Sequence, residues 1–140
     1  MTALAILLHS GGVDRVHYAL SLAAAALALD RPVTVLVAGR AVPLLLAGTP
    51  ERPGWHGLDP DAEGRSPAAR DAHHAARGIA TFAQLAEACA ALGGRFVACD
   101  MALRAEGLEG QALRTDLAVE IGGLVGLLAD SGPDAQLVFV

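Results

Sequence analysis

Apolar runs of strand length alternate along this chain with longer stretches whose apolar residues return every three or four positions. LAILLH, residues 4–9, is a continuous apolar run up to His9, the mark of a strand covered on both faces. SGGVD follows as a tight turn, with Asp14 placed to cap a helix. In RVHYALSLAAAALALD, Val16, Leu20, Ala24 and Leu27 share one helical face, and Asp30-Arg31-Pro32 ends the run. VTVLVAG, residues 33–39, is a second buried strand. Strand, helix and strand in close succession predict parallel pairing with a right-handed crossover.

Arg40 to Gly48 predicts at most a short helix, because Pro43 is tolerated only in a first turn. TPERPGWHGLDPDAEGR then opens an excursion over about residues 49–77, rich in proline, glycine and charge. A structureless stretch of that length is uncommon inside a domain, which suggests a lid, an oligomer contact or helix around Ala68 to Ala76. Thr81 is a cap for FAQLAEACAALGG, which stops at Gly93-Gly94. RFVAC, residues 95–99, is the third strand, followed by a helix-compatible run to Glu106. LAVEIGG is a weak fourth strand, Leu124 to Ala129 a helix, and Gln136 to Val140 a last strand. The expected architecture is one domain, residues 1–140: a three-layer α/β/α sandwich around a mainly parallel five-stranded sheet.

Composition narrows the function. The chain is 54% hydrophobic but only 4% aromatic, so its core is built from Ala, Leu and Val. Net charge is −5 and the arginines are scattered, which removes the basic stripe that nucleic acid requires. Lysine is absent, excluding Schiff-base chemistry and a phosphate-binding P-loop lysine. No segment has the length and flanks of a signal peptide or membrane span, so the expectation is a cytoplasmic protein without membrane contact. Two cysteines in that setting predict free thiols.

Cys99 stands where the third strand hands over to a helix, at the edge of a parallel sheet where such proteins place their chemistry. A helix start there favours the thiolate, Asp100 opposes it, and Arg104, about one turn on, compensates Asp100. From position alone, a nucleophile and a small core hydrophobe remain equal readings. Cys89 lies among alanines in mid-helix, where packing explains it. It is also a poor disulfide partner: a five-residue strand advances ~13 Å while four helical residues advance ~6 Å.

The first loop, His9-Ser10-Gly11-Gly12, shares the same edge, and its glycines let backbone amides approach an anion. It lacks the third glycine and the acidic residue of a dinucleotide fingerprint, so no cofactor is expected. His9 and His17 are candidate acid–base groups, with helix packing the simpler account of His17. His56, His73 and His74 do not compose a metal spacing, and no metal is expected.

AILLHSGGVDRVHYALSLAAAALAL, PVTVLVAGRAV, FVACDMALRAEGL and the terminal LVFV together resemble the DsrE/DsrF-like family of small sulfur-handling proteins. The resemblance spans most of the chain outside the excursion. It implies trimers, hexamers or related homo-oligomers. It further implies that Cys99 carries sulfur as a persulfide between donor and acceptor proteins or small thiols, with no cofactor. In this reading His9, Ser10, Asp100 and Arg104 support the cysteine, Gly11 and Gly12 form a ligand loop, and Trp55 in the excursion serves a partner. A non-catalytic ligand-binding or regulatory subunit of the same fold is the alternative, and a thiol peroxidase or redox sensor the third.

Overall fold

The computed structural model describes residues 1–140. Five strands form one all-parallel sheet: β1 (Leu4–Leu8), β2 (Val33–Val37), β3 (Arg95–Cys99), β4 (Ala118–Gly122) and β5 (Gln136–Phe139). Their order is β4-β3-β2-β1-β5. The helices are α1 (Val13–Ala28), α2 (Pro67–Ala76), α3 (Phe82–Ala91), α4 (Asp100–Ala105) and α5 (Leu124–Ser131). Helices lie on both sides of the sheet, the three-layer arrangement expected from the alternation of buried strands and amphipathic helices.

Side chains alternate across the strands, so register decides which residues meet which layer. Ile6, Val35 and Phe96 stand side by side on the face covered by α1 and α3. All three are almost fully buried, and losing the Phe96 ring would cost about 3–5 kcal/mol. Leu7, Leu36, Val97 and Phe139 align on the other face, which α5 covers. That cover is short, and Phe139, Leu137, Val125 and Leu128 are left exposed.

Two local expectations change. Asp14 does not cap α1: the N-cap is Gly12, and the Val13 N–H is taken by the Asp59 carbonyl from the excursion. A long-range pair therefore replaces the local cap. Residues Gly39–Leu45 form a 3₁₀ helix with Pro43 inside it, since the ring restricts φ and supplies no N–H. The Thr81 cap is present as a full capping box, with Gln84 returning a hydrogen bond to the Thr81 N–H.

The excursion is ordered. It contains a 3₁₀ turn, Gly54–Gly57, and α2, whose N-cap Ser66 accepts from the Ala69 N–H. Trp55 stacks on Phe82, ring centroids 4.8 Å apart, and is partly buried against the core. Its ring fastens the excursion to α3. The Asp61 carboxylate makes a second anchor, accepting from the Glu63 and Arg65 N–H groups and from both the Arg65 and Arg70 guanidiniums. Burial alone would raise its pKa, but those hydrogen bonds prevail and hold it well below the usual carboxylate range.

Candidate functional site

The strand ends of β1, β2, β3 and β5 open into a groove of about 470 Å³. Leu7, Leu36 and Phe139 form its sheet side; Met101, Ala102 and Ala105 of α4 and Leu124 of α5 form the opposite side. Nine of its thirteen lining residues are hydrophobic, Cys99 among them, and the polar side chains are His9, Arg40 and Glu106. This is the concavity expected at the carboxyl edge of a parallel sheet.

Cys99 is the last residue of β3 and the N-cap of α4, and its extended backbone sets the side chain against the groove. Its exposure is only 2%, so the thiol belongs to the groove wall. Gly122 is its register partner on β4, and a Cβ at Gly122 would stand 2.9 Å from Val97 Cγ1. A larger residue there would require the Val97 side chain beside the cysteine to shift. Helix α4 has only six residues, and its Met101 N–H is already bonded to the Asp100 carboxylate at 2.8 Å.

Cys89 supplies the contrast. It is fully buried, its Sγ lies 4.0 Å from the Leu20 carbonyl, and burial pushes its thiol up to about 11. Both cysteines are free.

His9 continues β1 into the groove. Its N–H donates to the Val140 carbonyl, its ring stacks on Phe139 at 5.9 Å, and Gly39 passes beneath it. Gly39 has φ +49°, the left-handed region, so glycine serves both the turn and the space under the imidazole.

The other sequence candidates fall outside the groove. Ser10 and Gly12 do not line it, and Gly11 packs against Arg40 and Asp59: a Cβ there would stand 2.6 Å from Arg40 Cβ and 2.7 Å from Asp59 Oδ2. The Gly11 carbonyl accepts from the Asp59 N–H, and a carboxylate occupies the side from which an anion would approach the loop. Asp100 and Arg104 form an exposed pair at 3.9 Å on the outer side of α4. His17 is buried, donates through Nε2 to the Ala80 carbonyl at 2.7 Å and packs on His74. His73 is turned away from that pair, and His56 packs on Trp55.

Three residues that sequence reasoning passed over define the polar end of the groove. Arg40 Nε donates to Asp59 Oδ2 at 2.8 Å, a second nitrogen completes the bidentate pair, and Glu106 lies 3.6 Å away. Hydrogen bonding to Arg40 holds the Asp59 carboxyl below its ordinary range. The three come from the 3₁₀ helix, the excursion and the end of α4, so no local spacing announces them. Met101 and Phe139, 60% and 68% exposed, form the apolar rim.

The fold is similar to that of the ychN protein of E. coli, at 18% identity and a TM-score of 0.64 over 99% of this chain and all of that one. It is also similar to MTH1491, a protein of unknown function from Methanobacterium thermoautotrophicum, at 15% identity and a TM-score of 0.60 over the full length of both. These likenesses establish the α/β fold. No protein-family model and no curated protein matches the chain. No helix is long and apolar enough to cross a membrane.

Proposed function

We propose that this protein is an intracellular sulfur carrier whose Cys99 holds sulfur as a persulfide. The observation that supports it is the unequal placement of two thiols: Cys99 lines an open groove, while Cys89 is sealed in the core. In the first step the Cys99 thiolate attacks the outer sulfur of a donor R–S–SH, a new S–S bond forms, and R–S⁻ leaves. The product is Cys99–S–SH. An acceptor thiolate then attacks that outer sulfur, giving its own persulfide and returning the Cys99 thiolate, with no net oxidation. His9, in the same groove, is the side chain available to hold a proton during exchange. The exposed apolar ridge of Met101, Leu124, Phe139 and α5 supports a homo-oligomer, with the trimer or hexamer of the resembled family as the expected state.

One observation favours a second reading, a non-catalytic ligand-binding subunit: Cys99 is only 2% exposed, within a largely apolar concavity. Intact mass after incubation with an organic persulfide separates the two. The carrier gains sulfur that dithiothreitol removes, and Cys99→Ser gains none; absence of the adduct on the unaltered protein leaves the binding reading.

A further inference from the structure

The groove walls, and not only the cysteine, carry information about what reaches it. Resting on the carrier reading above, we propose that the groove selects sulfur compounds whose organic part is uncharged and apolar, and rejects anionic donors such as thiosulfate or carboxylate-bearing thiols.

Two independent features point there. Nine of thirteen lining residues are hydrophobic, and a volume of about 470 Å³ has room for a ring or short branched chain between Leu7, Leu36 and Met101. The second feature is the state of the one cation in the groove. Arg40 is held bidentately by Asp59 and lies 3.6 Å from Glu106, so one positive charge faces two negative ones. The charge of its guanidinium is therefore more than offset by the two carboxylates, and the Asp100–Arg104 pair nearby adds no net charge. An entering carboxylate or sulfonate would lose water against apolar walls and meet net negative charge at the polar end. An uncharged ring loses only apolar hydration there.

Two aryl disulfides that differ in charge test this: dithiodipyridine, uncharged, and dithiobis(nitrobenzoate), a dianion. In each case the Cys99 thiolate forms a bond to one sulfur and expels the other as a chromophore, thionitrobenzoate from the dianion and pyridinethione, after uptake of a proton, from the pyridine, so the thiol is oxidised as the disulfide is reduced. Rates on the whole protein are divided by those of mercaptoethanol, which removes the intrinsic reactivity of each reagent. Cys99→Ser defines the background. The expected result is a normalised preference for the uncharged reagent of at least about tenfold. Glu106→Gln, or added salt, should narrow it by speeding the dianion. Equal normalised rates would overturn the selectivity and leave the carrier reading standing. A preference that neither Glu106→Gln nor salt alters would overturn the role of charge. No reaction of Cys99 with either reagent would instead overturn the carrier reading on which the selectivity rests.

Discussion

The His9 imidazole lies directly over Gly39: a Cβ built on residue 39 would stand 2.7 Å from His9 Cδ2 and 2.9 Å from its Nε2. With φ at +49°, any L side chain at this position would also be strained. Gly39→Ala should therefore cost about 1–2 kcal/mol from the backbone alone. The added contact displaces the ring from Phe139. Denaturant unfolding measures the first effect, and the shift of the His9 ring protons measures the second. A variant with unchanged ring shifts would show that His9 is not positioned by this glycine.

The two thiols should separate by reactivity. Cys89 is fully buried and its thiol is pushed up to about 11, so at pH 8 it is both shielded and protonated. Iodoacetamide should modify Cys99 alone in the folded protein, with Cys89 labelled only on unfolding. Cys89→Ala should fold at a cost of about 1–2 kcal/mol for the lost buried sulfur and leave Cys99 labelling unchanged. Peptide mapping after timed alkylation reads both; comparable native labelling of Cys89 would contradict the burial argument.

These contrasts show which parts of the molecule local sequence could reveal. LAILLH and RFVAC are strands because their apolar runs must be covered on both faces, and Cys89 packs where its alanine neighbours predict. Thr81 caps α3 because the partners of a capping box are three residues apart. Where partners are far apart in sequence, the same reasoning finds nothing. Asp59 supplies the carbonyl for the first amide of α1 and the carboxylate for Arg40, and both roles exist only once the excursion has folded back on the first loop. Asp14 looked like the cap because the acceptor that the Val13 N–H uses, the Asp59 carbonyl, lies 46 positions away. The groove's apolar wall is likewise a product of register, which aligns Leu7, Leu36 and Phe139 from three strands.

Asp61 should govern the order of the excursion. Its side chain is wholly shielded and gathers two arginines and two backbone N–H groups. Asp61→Ala leaves those donors without their common acceptor and frees the loop leading into α2. The expected outcome is a melting temperature lower by at least about 4 °C, with new protease cleavage between residues 61 and 77. Limited proteolysis reads it directly, and an uncut variant would show that Trp55 on Phe82 suffices to hold the segment.

The apolar ridge should respond to charge. Val125 is 84% exposed and Leu128 61%, on α5, which packs on β1 and β2. If copies of the chain meet there, Val125→Asp with Leu128→Asp should give monomers in sedimentation velocity while the circular dichroism stays unchanged, because neither residue is part of the core. An oligomer that persists in the double variant would place the contact elsewhere.

Acid should loosen the contact between α1 and α2 through His74. Arg70 Nε donates to His74 Nε2 at 3.0 Å, which fixes the neutral ring with its proton on Nδ1, and that buried nitrogen has no partner. His17 lies 4.0 Å away, ring to ring, and the proximity of His17, Arg70 and His73 disfavours a cationic His74 ring, an effect that Asp71 opposes. Burial, then the proximity of His17, lowers the His74 pKa in the folded state. The unfolded chain, with its histidine near the ordinary value of about 6.5, then takes up the proton first as pH falls. Stability is complete above that value and declines below it until the folded-state pKa is reached. For a single proton the slope cannot exceed about 1.4 kcal/mol per pH unit. His74→Gln offers Arg70 an acceptor without a titrating ring, and should flatten the dependence between pH 6.5 and the carboxylate range. Urea midpoints at pH 7.5, 6.5 and 5.5 on both proteins decide it, since parallel curves would assign the acid response to other groups.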